Sequence, residues 1–355
     1  MVRVGQARRV AARWVAEHAA AAPGFAGAFL SGSAIWLPAQ AELPATSDVD
    51  VMVVTSGERA PVKLGKFLRE GVVVEVTYLP WDRIRSAEVV LGSYHLAGSF
   101  RGDSGDGGDS GGVVVADPTG RLARLRAQVS AEYARRAWVR RRCDDAERRI
   151  VAGIGSVEAS APLHDQVIGW VFPAGVTTHV LLSAGLRNPT VRSRYVAVRG
   201  LLAEYGLLEV HERLLELLGC AEMTPARAAH HLEAMARVFD ATVPMARTPL
   251  SFSSDITAAA RPIAVDGGRE LIEAGLHREA VFWVVVTYAR CLKIMAGDAP
   301  AAVEVFSPGF LRLLGDLGVG SPRDLRERGR EVLGFLPSLR EVAGAVMAAN
   351  PGIRD

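Results

Sequence analysis

Asp48 and Asp50, two aspartates at alternate positions of one predicted strand, are the residues of this chain best suited to chemistry. They open the segment 48–54, which continues with valines at Val49, Val51 and Val53. Successive strand side chains point to opposite faces, so both carboxylates project the same way. Neighbouring carboxylates repel each other unless a cation lies between them, and oxygen-only ligands suit magnesium. The pair therefore predicts a magnesium site on one face of a strand.

A turn of small residues precedes this strand and ends the apolar segment 25–30. Its glycine, Gly32, lets backbone N–H groups approach phosphate oxygens without a side chain in the way. Beside the aspartates, such a turn favours binding of a magnesium-bound nucleotide. We expect Gly32 and Ser33 to hold the phosphates, with Ser31 as an alternative contact, and we count Ser47 among the nucleotide contacts.

Glu75 is the one acidic residue in the β-branched run 72–78, a composition that favours a strand. Period two places it on the face opposite Val74 and Val76. A carboxylate in a buried strand is costly unless it is paired or bound to a metal. The alternative is a strand at the edge of the sheet, which would leave Glu75 in water.

The elements around these residues divide the chain into two parts. A helix is predicted over 5–21. The pattern further predicts a weak helix over 62–68 and a mobile Gly/Asp/Ser-rich loop over 98–112. A short strand is predicted over 113–117. From residue 122 onward nearly all segments are helical, and Pro173 is predicted to break or kink the stretch 162–185. The fold class is therefore α+β: a mixed sheet with flanking helices over 1–120, followed by an all-helical domain over 121–355.

Composition narrows the classes of function. The chain has 355 residues, 49% hydrophobic and 23% charged, with a formal net charge of only +2, which lacks the electrostatic footprint of a nucleic-acid binder. Its three cysteines form no CxxC pair, which argues against a disulfide framework and a zinc site. The longest apolar run, 280–288, is too short to cross a bilayer, and no secretory signal is recognisable. We expect a cytoplasmic protein that engages neither nucleic acid nor membrane; the oligomeric state is not indicated.

The Gly-Ser turn, the Asp-x-Asp strand and the later acidic strand together resemble the nucleotidyltransferase fold of the DNA polymerase β superfamily. The layout, with helices after the catalytic sheet, resembles the antibiotic nucleotidyltransferases, such as streptomycin/spectinomycin adenylyltransferases and kanamycin nucleotidyltransferase. The resemblance implies Gly32 and Ser33 as the turn, Asp48 and Asp50 as ligands of two magnesium ions, and Glu75 as the third carboxylate. It leaves two roles open for Glu75, metal ligand or general base.

The implied reaction moves a nucleoside monophosphate, AMP from ATP, onto a hydroxyl of a small molecule and releases pyrophosphate. The acceptor would be an aminoglycoside or an intermediate of specialised metabolism. Positive charge for the triphosphate is expected partly from the helical domain, where Arg290 and Lys293 lie three residues apart on one helix face. Their alternative role is to snorkel to solvent. Arg192 is a second candidate.

Two other functions compete with this one. A nucleotidyltransferase of a toxin–antitoxin pair would modify a partner protein, although such proteins tend to be much shorter. A catalytically silent scaffold is the other possibility, against which the intact set Asp48, Asp50 and Glu75 argues.

Overall fold

The computed structural model describes residues 2–57, 60–101 and 113–355. It is a mixed α+β protein with a five-stranded sheet in the N-terminal part and mainly helices after it, as predicted. Of the predicted loop 98–112, only 98–101 is described, and a 3₁₀ helix, Ala97–Phe100, covers most of it. The rest of that prediction lies outside the described residues.

The sheet is mixed, and its strands follow the order β3-β4-β2-β1-β5. Its five strands are β1 Phe25–Ser31, β2 Val49–Thr55, β3 Gly65–Arg69, β4 Val72–Pro80 and β5 Val114–Ala116. Strand β2 lies between β1, to which it is antiparallel, and β4, to which it is parallel. Strand β3 pairs with β4 in antiparallel fashion and forms one edge. The segment 62–68, predicted to be a weak helix, therefore contains a strand instead, and β4 is not an edge strand.

Helix α1 (Val4–Trp14), extended by a π-helical turn Val15–Ala19, covers one face of the sheet. Fully buried valines of β2 and β4, including Val51 and Val74, pack against it. The opposite face packs Phe29 and Val54 against helices α2 (Ala87–Leu91) and α3 (Arg121–Glu132). This two-sided core explains the near-continuous valine runs, because both faces of the inner strands are covered.

Nine further α-helices follow α3 in the described part of the chain. They are α4 Arg136–Gly155, α5 Leu163–Ala184, α6 Arg194–Glu204, α7 Leu208–Leu218, α8 Pro225–Thr242, α9 Gly267–Glu273, α10 His277–Asp298, α11 Pro300–Asp316 and α12 Pro322–Ala349. Helix α5 continues through Pro173, and α12 continues through Pro337. The predicted break at Pro173 is thus wrong, whereas the alternative, a kink at that residue, stays a prediction. A proline removes one backbone hydrogen bond of a helix. Because α5 is buried along most of its length, its packing compensates for that loss.

By their internal contacts the residues form two compact units. One is the sheet unit, residues 1–142, 186–188 and 352–355; the other is the helical unit, residues 143–185 and 189–351. Helix α3 belongs to the sheet unit because its buried side chains Leu122, Leu125 and Val129 pack into the same core as Phe29. The predicted domain boundary after residue 120 remains a prediction.

Three helices of the helical unit, α5, α10 and α12, are long and apolar enough to cross a membrane by length and composition. In α5 and α10 most of the apolar window is buried inside the protein, 83% and 78%, whereas in α12 the buried share is 33%. The run 280–288 lies within α10 and is largely buried, as the sequence predicts for a core helix. The absence of a membrane partner stays a prediction.

Candidate metal centre

One row of side chains crosses four neighbouring strands on the face of the sheet opposite α1. Ser31 of β1 pairs with Asp50 of β2, which in turn pairs with Glu75 of β4. Glu75 also pairs with Lys66 of β3. Paired residues of adjacent strands share a face, with Cβ atoms about 5 Å apart. The strand order therefore places a hydroxyl, two carboxylates and an ammonium side by side.

The structure brings the three predicted carboxylates together. Asp48, immediately before β2, joins Asp50 and Glu75, and one carboxylate oxygen of each lies within 4.8 Å of the others. Glu75 is 8% exposed, because β3 covers β4, so the alternative of a solvated edge carboxylate is wrong. Three oxygen donors at this spacing, with no nitrogen or sulfur donor among them, fit a hard divalent cation such as magnesium.

The turn after β1 can be built only with glycine at position 32. Gly32 has φ 68° and ψ −158°, a backbone conformation that is essentially restricted to glycine. A Cβ atom at this position would lie 1.8 Å from Oδ2 of Asp50. The missing side chain thus lets the turn backbone come directly against a carboxylate of the triad.

Neighbouring residues hold this turn in place. Ser33 begins a short 3₁₀ helix, Ser33–Ile35. The Arg8 guanidinium of α1 donates to the backbone carbonyls of Ala34, at 2.7 and 3.0 Å, and of Leu37, at 2.7 Å. The segment that follows the Gly-Ser pair is therefore anchored to α1 through its backbone.

Two lysines, which the sequence reasoning missed, contact the triad. Lys66 Nζ lies 2.8 Å from Glu75 Oε2 and 3.3 Å from Asp48 Oδ2, and its side chain is only 7% exposed. Lys63 forms an ion pair with the other oxygen of Glu75, Oε1. A signal was available: the chain contains only three lysines, and two of them stand within four positions, just before the strand of Glu75. Because a helix was predicted over 62–68, the pairing of these lysines with Glu75 was not predicted.

Burial and neighbouring charges set the protonation of the triad. Burial, reinforced by the charges of Asp48 and Glu75, raises the pKa of Asp50 well above its ordinary 3.8. Burial also raises the pKa of Asp48, although Lys66 opposes the shift. Burial alone would raise the pKa of Glu75 as well, but Lys66 and Lys63 together outweigh it and lower that pKa to about 2. Without a metal, Glu75 is therefore ionised while Asp50 retains its proton to an unusually high pH.

Two further predicted nucleotide contacts of the sheet unit are Ser31, which belongs to this row, and Ser47, which immediately precedes Asp48. The Ser31 hydroxyl, on the same face as Asp50, is 2.8 Å from the hydroxyl of Ser99, which is buried in the 3₁₀ helix Ala97–Phe100. Ser47 is half-buried and donates its N–H to the carbonyl of Pro44, in the turn that leads to Asp48. Ser99 was not recognised from the sequence, because 68 residues separate it from Ser31.

The basic candidates of the helical unit have local partners. Arg290 donates to Asp255 at 2.8 Å, and its guanidinium lies 5.0 Å from the ring centres of Phe172 and Phe252 and 5.5 Å from that of Trp283. This half-buried ion pair, whose guanidinium is surrounded by aromatic rings, contributes to the packing of the helical unit.

Lys293 donates to Asp165 at 2.6 Å. Arg192 is half-buried just before α6. Both remain predicted nucleotide contacts.

No model of a protein family matches the chain, and no curated protein matches it.

Proposed function

We propose that this protein is a magnesium-dependent nucleotidyltransferase that moves AMP from ATP onto a hydroxyl of a small molecule and releases pyrophosphate. The observation that carries the proposal is the convergence of Asp48, Asp50 and Glu75 directly beside the Gly32 turn. The carboxylates suit a hard cation, and a glycine turn lets backbone N–H groups approach phosphate oxygens. Neither feature alone would point to a nucleotide.

Asp48 and Asp50 would hold the magnesium, with Glu75 as the third ligand. Bound magnesium would offset the negative charge that develops on the attacking and leaving oxygens. The Gly32 backbone and the Ser33 hydroxyl would contact the β- and γ-phosphates, with Ser31 as a neighbouring hydroxyl.

In the transfer itself the acceptor oxygen forms a bond to the α-phosphorus, and the bond from that phosphorus to the bridging oxygen breaks. Pyrophosphate leaves with the electron pair of this bond, and the hydroxyl proton passes to water. Both oxygens of Glu75 lie in ion pairs with lysines. One oxygen of Glu75 also lies within 4.8 Å of oxygens of Asp48 and Asp50, and this geometry supports ligation of the metal. We therefore assign Glu75 to that role.

A small acceptor, an aminoglycoside or an intermediate of specialised metabolism, is part of the proposal. The net charge of +2 does not favour a polyanionic nucleic acid as acceptor. Location in the cytoplasm belongs to the same proposal.

The test is release of pyrophosphate from each of the four nucleoside triphosphates, with magnesium, against a panel of aminoglycosides and other hydroxylated metabolites. For an acceptor that turns over, Asp50→Asn should reduce kcat/KM by more than the roughly 10–100-fold typical of losing a residue that only supports a metal ligand. Asp82→Asn, the same change at an exposed aspartate of the sheet unit, is the matched control and should keep full activity.

Full activity of Asp50→Asn would contradict the assigned role. If no triphosphate is consumed and no nucleotide with magnesium raises the melting temperature, the scaffold interpretation replaces the proposal.

A further inference from the structure

The centre already contains a cation of its own. Lys66 Nζ lies between two of the three carboxylates, 3.3 Å from Asp48 Oδ2 and 2.8 Å from Glu75 Oε2. Its side chain is only 7% exposed, so this is a buried ammonium held by two carboxylates. Lysine is rarely buried to this degree unless it is paired.

The choice of lysine is itself informative. Lysine and arginine together number 41 in this chain, and only three of them are lysines. Two of the three, Lys63 and Lys66, pair with Glu75. Arginine binds a carboxylate through a rigid planar fork, whereas the lysine ammonium is a compact point charge on a flexible stem. An ammonium can therefore occupy a position between carboxylates and can also move away from it.

The position of Lys66 is set by the sheet. It belongs to β3 and pairs directly with Glu75 of β4, so its backbone is fixed while its side chain reaches across the row. Any divalent ion held jointly by Asp48 and Glu75 needs oxygens that Lys66 now contacts. The ammonium and a divalent ion at these oxygens would repel each other strongly, because both are positively charged and close together.

We propose that Lys66 is the resident counter-ion of the triad, which a divalent ion must displace from Asp48 and Glu75. The lysine thus keeps the carboxylates together in the metal-free protein and weakens the binding of a free divalent ion. Displaced from the carboxylates, the ammonium needs a new anionic partner, and a phosphate chain is one. The site accordingly selects a metal–nucleotide complex over the metal alone. This inference rests on the proposed function, in which Asp48 and Glu75 are metal ligands.

The test is calorimetric titration with Mn²⁺ alone. Lys66→Met should bind Mn²⁺ at least about tenfold more tightly than the wild type, because it removes a competing positive charge. The metal-free Lys66→Met protein should melt at a lower temperature than the wild type, since the carboxylates lose their counter-ion. Arg69→Met, a loss of positive charge on the same strand, should leave Mn²⁺ affinity unchanged, because Arg69 pairs with Glu17 instead.

Equal or weaker Mn²⁺ binding by folded Lys66→Met overturns the inference but leaves the proposed function standing. A wild-type protein that binds no divalent ion, alone or with ATP, overturns both.

Amine labelling of the wild type gives a second measurement should Lys66→Met fail to fold. Mass spectrometry after reductive methylation can follow each of the three lysines separately. We expect labelling of Lys66 to increase when Mn²⁺ alone binds, while labelling of Lys293, which pairs with Asp165 in the helical unit, stays unchanged. Unchanged labelling of Lys66 under conditions in which the metal is bound would overturn the inference.

Discussion

The close approach of Gly32 to Asp50 leads to a quantitative prediction. Gly32→Ala should cost free energy of unfolding for two separate reasons. An alanine in the glycine-only region of φ and ψ carries about 1–3 kcal/mol of backbone strain. Its Cβ would also lie 1.8 Å from Oδ2 and 2.8 Å from Cγ of Asp50. Overpacking of this kind costs about 1–3 kcal/mol more, because Asp50 is held in the row and its short side chain cannot turn aside freely.

A double-mutant cycle separates the two contributions. Asp50→Ala deletes the two closest atoms and leaves only its own Cβ, 3.4 Å from the new methyl group. In the Asp50→Ala background, Gly32→Ala should therefore retain only the backbone strain, and its cost should fall by about 1–3 kcal/mol. The assay is urea unfolding followed by circular dichroism and tryptophan fluorescence, whose coincidence tests for a two-state transition.

Gly71→Ala is the control. Gly71 also has a positive φ, +75°, but nothing lies within 4 Å of a Cβ built there. Its cost should be that of backbone strain alone, about 1–2 kcal/mol, and should not depend on Asp50. The reasoning is refuted if Gly32→Ala costs the same with and without the Asp50 carboxylate.

Two further predictions concern charged groups. Because the pKa of Asp50 is raised well above 3.8 by burial and by two neighbouring carboxylates, the folded metal-free protein keeps a proton that the unfolded chain has already lost. The free energy of unfolding should then fall as the pH rises above 3.8, until Asp50 ionises in the folded state. Asp50→Asn should remove this loss of stability. Thermal unfolding without metal, from about pH 5 to pH 8, will measure the difference between the two proteins. Identical pH profiles of the two proteins would contradict the assignment. In the helical unit, Arg290→Gln and Asp255→Asn should each lower the free energy of unfolding, and the double variant should show a coupling of about 0.5–3 kcal/mol. Strict additivity would mean that their 2.8 Å contact contributes nothing to stability.

The inner part of the sheet could be predicted from the sequence because its pattern is strong. Alternating valines around Asp48 and Asp50 and the β-branched run of Glu75 both specify buried strands, and the small-residue turn specifies where the first strand ends. These features place Asp48 and Asp50 on one face of their strand and Glu75 on the face of its strand opposite Val74. That the three carboxylates share one site was implied by the resemblance. The parallel pairing of β2 with β4 then brings Asp50 opposite Glu75.

The edge of the sheet could not be predicted in the same way. Strand β3 is only five residues long and mixes glycine, lysine and leucine, a pattern as compatible with a helical turn as with a strand. The consequence was that Lys66 could not be related to Glu75. Contacts between distant parts of the chain, such as Ser31 with Ser99 or Arg290 with Asp255, leave no local pattern at all.

Pairing of neighbouring strands, rather than loop conformation, aligns the row from Ser31 to Lys66. A strand has a period of two, so deleting one residue before Glu75 within β4 would turn that carboxylate toward α1 and present a valine to Asp50. Adding or removing residues in a connection would leave this alignment intact. Among descendants of this chain, insertions and deletions should therefore accumulate between the strands and be eliminated within them.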